Sequence, residues 1–303
     1  MLVFWIAFNI FVVALLALDL GVLQRQPHRV GLREALAWAG FSIALAAGFA
    51  VLVLFWQGRA PALQFVTAYV IELSLSVDNL FVFLVIFRYF NVPRQHQHKV
   101  LFWGIIGALM TRGVFIVAGV GLMRRLHWIP YAFGALLVYS GIRLLRAGKM
   151  DIHPEKNLGL RLFRRILPVK EQYLGGQFFG RDGAFYATPL LLVLLMVETS
   201  DILFAVDSIP AVLGITADAF ILYTSNVFAV LGLRSMYFAL AGTMDLFHYL
   251  HYGLSVILIF VGFKMLGSHY LKISTGWSLV AVLLVLAISV LASLWSSENK
   301  VSS

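Results

Sequence analysis

The sequence predicts an all-α membrane protein of about nine transmembrane helices, with an inverted repeat of two three-helix units at its centre. Composition comes first: 61% of the 303 residues are hydrophobic and 12% are charged, where an ordinary soluble domain carries about 25% charged residues. Nine apolar stretches follow one another, near 2–23, 35–56, 64–87, 100–122, 129–147, 186–212, 219–243, 250–267 and 276–296. Each is close to the roughly 20 residues a helix needs to cross about 30 Å of hydrocarbon. Finally, an acid-bearing motif in the third stretch recurs in the sixth.

The first stretch, Leu2 to Leu23, has no basic start and runs on for the length of a span. It therefore predicts a transmembrane helix rather than a cleaved signal. Lysines and arginines set the orientation of the rest. Fifteen fall on one side, among them Arg25, Arg29, Arg33, Arg88, Arg94, Lys99 and the run from Arg146 to Arg181, and four on the other, Arg59, Arg124, Arg125 and Lys272. The amino terminus is expected outside and the carboxyl terminus in the cytoplasm. A formal net charge of +9 invites a nucleic-acid partner, but the charge sits in short connections rather than along one face, so none is expected. No cysteine is present, which excludes thiolate ligands and thiol nucleophiles.

Five segments follow: 1–60 with two N-terminal helices, 61–150 as the first repeat, 151–184 as a basic cytoplasmic loop, 185–270 as the second repeat, and 271–303 as a final helix and tail. Within the loop, Phe163-Arg164-Arg165-Ile166-Leu167 has the character of a basic amphipathic stretch for an anionic leaflet; a loop that only sets topology is the rival reading.

The repeat is read from three matched positions. Glu72-Leu73-Ser74-Leu75-Ser76-Val77-Asp78-Asn79 corresponds to Asp201-Ile202-Leu203-Phe204-Ala205-Val206-Asp207-Ser208. Arg112 corresponds to Arg234, and Gly141-Ile142-Arg143 to Gly262-Phe263-Lys264, at offsets of 129, 122 and 121 positions. A unit of three helices crosses the membrane an odd number of times, so its second copy enters from the opposite face. Secondary transporters built this way hold their substrate at midplane between the halves.

Asp19, Glu72, Asp78, Glu198, Asp201 and Asp207 all lie within apolar runs, where each charge costs about 2.5–3.5 kcal/mol on insertion scales. Arg112 and Arg234 neutralise at most two of them. The surplus negative charge predicts a bound cation, and carboxylates with Asn79 and Ser208 are hard oxygen donors suited to Mg²⁺, Ca²⁺ or Mn²⁺. Glu72 and Asp78 are six positions apart, as are Asp201 and Asp207. On regular helices each pair points about 240° apart and is displaced by about 9 Å. The spacing therefore predicts breaks near Val77-Asp78-Asn79 and Val206-Asp207-Ser208-Ile209-Pro210; the alternative is that each pair divides its acids between metal and an arginine. Asp19, close to a membrane face, is a candidate for the ion path or for snorkelling.

The two acid-bearing segments resemble the signature segments of the TerC/Alx family of integral membrane proteins. Ser225-Asn226-Val227-Phe228-Ala229-Val230-Leu231-Gly232-Leu233-Arg234-Ser235-Met236-Tyr237 and Ala17-Leu18-Asp19-Leu20 extend the resemblance over nearly the whole chain. It implies a multi-pass protein of the bacterial inner membrane. For the Alx branch it implies manganese export, with Glu72, Asp78, Asn79, Glu198, Asp201 and Asp207 as carried-over metal candidates.

The expected function is export of a divalent cation, Mn²⁺ by the resemblance, with alternating access and proton exchange as carboxylates empty. No nucleotide-binding motif, catalytic residue or cofactor is expected. The lipid bilayer is the expected surrounding, and self-association is left open. Two rival readings stand beside this one: transport of an organic or oxyanion substrate bound by Arg112 and Arg234, and an intramembrane enzyme or assembly factor in which Asp78 and Asp207 share a proton.

Overall fold

A computed structural model describes residues 2–18, 31–146, 168–169, 173–182, 184–241, 249–268, 270 and 273–301. Among them are nine α-helices and one hairpin: α1 (Leu2–Leu18), α2 (Leu32–Gln57), α3 (Arg59–Tyr89), α4 (Arg94–Arg125), α5 (Ile129–Arg146), β1 (Phe179–Asp182), β2 (Ala184–Ala187), α6 (Pro189–Leu213), α7 (Ala219–Leu240), α8 (Leu250–Leu266) and α9 (Thr275–Val301). Six of these, α2, α3, α4, α6, α7 and α9, are long and apolar enough to cross a membrane, and α1 and α8 are shorter apolar helices. The all-α reading therefore holds.

Connections stop the helices where the local chemistry requires it. Gly58, with φ of 92°, separates α2 from α3, a left-handed conformation that glycine adopts without steric cost. Asp218 caps α7 by accepting hydrogen bonds from the Phe220 and Ile221 amides, which satisfies two otherwise orphaned donors.

The predicted breaks are absent. α3 runs unbroken through Val77, Asp78 and Asn79, and α6 through Val206 to Pro210. In hydrocarbon every backbone group needs an internal partner, which favours the intact helix. Pro210 lies in the last turn before Leu213, where its missing donor costs a single hydrogen bond and leaves the acid-bearing turns regular.

Part of the 151–184 loop, including Phe163 to Leu167, lies outside the described residues. Its end holds the antiparallel hairpin, pairing Phe179 with Ala187 and Arg181 with Phe185, which the sequence reading did not foresee. Tyr173 Oη donates to the Phe90 carbonyl at 2.7 Å, and Lys99 Nζ to the Gly176 carbonyl at 2.6 Å. The segment is thereby pinned over the α3–α4 turn.

α3, α6 and α7 are the most buried spans, and α2 and α9 lie at the periphery. α3 packs on α7 and α4 on α6, while α5 packs along α8. The α5–α8 contact is close because of its glycines. A Cβ on Gly134 would stand 2.9 Å from the Gly262 carbonyl oxygen, and one on Gly141 2.8 Å from that of Ser255. A second, aromatic core joins α1 and α2 to α3 and α7: Phe49 stands between Phe8 and Phe228, with centroids 5.5 and 5.0 Å away.

Candidate functional site

α4 brings Arg112 into the middle of the bundle, where it is 1% exposed. Its Nη1 donates to Glu72 Oε2 of α3 at 2.7 Å; its Nη2 and Nε donate to Asp201 Oδ1 and Oδ2 of α6 at 3.0 and 3.3 Å. The two-point contact with Asp201 matches the planar fork of a guanidinium to a carboxylate. Glu72 and Asp201, the corresponding acids of the two motifs, therefore take their ion pairs from one arginine.

Glu198 stands one turn before Asp201, its carboxyl against the bare backbone of Gly107 on α4, so closely that a Cβ there would collide with it. Asn226 of α7 faces Glu72 without reaching hydrogen-bonding geometry, and Glu72 Oε1 has no hydrogen-bond partner among the described residues.

The second acid of each motif points elsewhere, as regular helices require. Asp207 accepts a 2.6 Å hydrogen bond from Ser140 of α5, with Arg143 near enough to act on its charge. Asp78 is half-buried and has no hydrogen bond or ion pair among the described residues. The acids are thus divided, with one of each pair on the arginine. Among the described residues no three histidine, aspartate or glutamate side chains converge closely enough to hold a metal ion.

Of the other expected residues, Asn79 and Ser208 are buried, and Asn79 Nδ2 and Ser208 Oγ have no hydrogen-bond partner among the described residues. Arg234 Nη2 stands 3.0 Å from His98 Nδ1, near the start of α4. Asp19 lies outside the described residues. Ser140, Asn226 and Gly107 were missed by the sequence reading. Asn226 lies within the Ser225–Tyr237 motif and Ser140 directly precedes the Gly141-Ile142-Arg143 match, whereas Gly107 carries no local signal.

These helices and their buried charged centre define a polytopic membrane protein whose interior is built around an arginine shared by carboxylates. The chain belongs to the TerC family of integral membrane proteins: residues 57–301 match the family described as Integral membrane protein TerC family. It is 47% identical over 296 residues to "Uncharacterized membrane protein STKORF319" of Myxococcus xanthus, covering 97% of this chain and 93% of that one. It is 41% identical over 302 residues to "Putative membrane-bound redox modulator Alx" of Escherichia coli (strain K12), covering 96% and 94%. No solved structure matches it.

Proposed function

We propose that the protein exports a divalent metal cation, Mn²⁺, from the cytoplasm by alternating access through the Arg112 centre. The observation that carries this reading is the charge there. Arg112 pairs with Glu72 and Asp201, and Glu198, one turn before Asp201, is near enough to act on the charge of Asp201. With all three ionised, the deficit is two positive charges, which one divalent cation makes good. Oxygen donors select hard ions, and manganese among these follows from the resemblance to the Alx branch. The name of the Escherichia coli relative speaks of redox modulation; in a sequence without cysteine, movement of a redox-active metal supplies such an effect where thiols cannot.

The repeat supports alternating access. Gly134 meets Gly262 and Gly141 meets Ser255, and Ser255 and Gly262 each lie 121 positions after Gly134 and Gly141. A two-fold relation between α3–α5 and α6–α8 exchanges these two contacts. It likewise exchanges the α3–α7 contact with the α4–α6 contact. Under this reading 61–150 and 185–270 are inverted copies, 1–60 and 271–303 flank them, and 151–184 is a cytoplasmic loop. The membrane is the bacterial inner membrane, with the amino terminus outside and the carboxyl terminus in the cytoplasm.

Inversion gives the divided acids a purpose. Asp78 lies about 9 Å along α3 from Glu72, towards the cytoplasm, and Asp207 lies about 9 Å along α6 from Asp201, towards the outside. They are stations on either side of the centre. Arg112 compensates Glu72 and Asp201 while no metal is bound; an arriving cation draws these carboxylates from it, and rocking of one repeat against the other opens the outer route. Carboxylates left without a cation take up protons, so metal leaves in exchange for them.

The commitment of Arg112 to two carboxylates supports a cation over an anionic substrate. The Ser140–Asp207 bond, with no hydrogen bond between Asp78 and Asp207, favours transport over aspartyl catalysis.

The test is ⁵⁴Mn²⁺ uptake by inverted vesicles holding the protein, beside Glu72→Gln and Asp207→Asn. Wild type should fill the vesicles and both variants should not, with abundance and folding unchanged. Wild-type vesicles that stay empty at every pH and ion gradient, for Mn²⁺, Ca²⁺ and Mg²⁺ alike, would refute export.

A further inference from the structure

One face of α3 carries Tyr69, Glu72, Ser76 and Asn79, spaced three, four and three positions apart, the spacing of one helical stripe. All four are buried, and Tyr69 Oη, Glu72 Oε1, Ser76 Oγ and Asn79 Nδ2 have no hydrogen-bond partner among the described residues. Across from Glu72, on α7, both polar atoms of the 2% exposed Asn226 are likewise unpartnered. A buried polar atom left without a partner costs about 1–3 kcal/mol, and folded proteins avoid such atoms. Several on facing helices mark a place built for something that interacts with all of them.

Resting on the cation-export reading, we infer that Ser76 Oγ and Asn226 Oδ1 complete a cation-binding pocket with Glu72 Oε1, between α3 and α7 on the cytoplasmic side of Arg112. Ser76 follows Glu72 by one turn on the same face, and Asn226 stands opposite. Ser76 and Glu72 share one face of α3 and the Asn226 amide lies across from Glu72, so a hydroxyl, an amide and a carboxylate line the facing sides of α3 and α7. Arg112 holds the other oxygen of Glu72 at 2.7 Å, so the carboxylate is oriented with Oε1 turned away from the guanidinium. The pocket therefore receives the ion before the arginine has to release its acids. Neutral donors add coordination without adding charge, which lets the ion move on to the centre.

The test uses the purified full chain in lipid nanodiscs with Mn²⁺ alone as probe. Binding is followed by loss of the free-ion electron paramagnetic resonance signal, and the metal-free thermal midpoint is recorded in parallel. Ser76→Ala and Asn226→Leu should each raise the Mn²⁺ Kd by about tenfold, the scale on which metal affinity responds to groups supporting a site. Asn226→Asp, which keeps the shape and supplies a carboxylate oxygen, should bind at least as tightly as wild type. Unchanged Kd in Ser76→Ala and Asn226→Leu, with wild type binding and transporting Mn²⁺, overturns the pocket and leaves export standing. A fall in thermal midpoint without any change in Kd likewise overturns it, because these residues then serve only the fold. Wild type that neither binds nor transports Mn²⁺ overturns both. Should Asn226→Leu not fold, Ser76→Ala and Asn226→Asp decide the matter.

Discussion

Arg112 and Asp201, 89 positions apart in the chain, meet in a two-point contact in which Nη2 and Nε donate to the two carboxylate oxygens at 3.0 and 3.3 Å. With Glu72 on the remaining arm, the arginine ties α4 to both acid-bearing helices.

Removing that arginine leaves two buried carboxylates uncompensated. Arg112→Met should destabilise the protein by about 3–5 kcal/mol, the cost of breaking a buried ion pair from one side. Arg112→Lys should recover part of this, because an ammonium supplies charge without the fork. Reversible unfolding in mixed detergent measures both; a lysine variant as stable as wild type would show that the two-point geometry is unnecessary.

The α5–α8 contact tolerates no side chain at its glycines. Gly141→Ala should cost about 1–3 kcal/mol, the usual effect of overpacking, because its Cβ would press on the Ser255 carbonyl at 2.8 Å and on Ile259. Gly121 of α4 has nothing within 4 Å of such an atom, and Gly121→Ala should stay within about 0.5 kcal/mol of wild type. Thermal midpoints of the two variants, side by side, check the contrast.

Tyr173 makes the hairpin segment sensitive to alkali. Burial raises its phenol above the ordinary 10.0, so the contribution is fully present below pH 10.0 and is lost as pH rises through the raised value. The phenolate can no longer donate to Phe90. A nitroxide on Arg181→Cys, the only thiol in the chain, should become more mobile on moving from neutral pH to strong alkali. Adding Tyr173→Phe should give the mobile spectrum already at neutral pH. Equal mobility of both proteins at neutral pH would show that the hydrogen bond does not anchor the segment.

Orientation is open to the same chemistry. In intact cells, Arg59→Cys should react with a membrane-impermeant maleimide, whereas Arg94→Cys should react only after permeabilisation. The reverse pattern would invert the proposed direction of transport.

Much of this was legible along the chain. Each of the nine apolar stretches holds one of the nine described helices, and six of these are long and apolar enough to cross the hydrocarbon. Glu72 and Asp201 were identifiable as counterparts from one repeated motif. Residues that contribute through shape carried no such mark. Gly107 matters because Glu198 lies against it, and Ser140 because Asp207 accepts its hydroxyl; each relation joins helices distant in sequence. The expected breaks at Asp78 and Asp207 arose from requiring all the acids to meet at one ion, which the intact helices do not ask of them.

The sequence by itself determined that the chain is a helical membrane protein, which residues carry charge into its interior, and on which side of a helix each one falls. Composition, length and a 3.6-residue period act locally, so no tertiary knowledge is needed to read them. Only the tertiary structure decided that Arg112 serves Glu72 and Asp201 together, that Asp207 goes to Ser140, and that Asn226 faces Glu72. Those pairings depend on which helices lie side by side, and packing sets that through contacts such as Gly134 against Gly262.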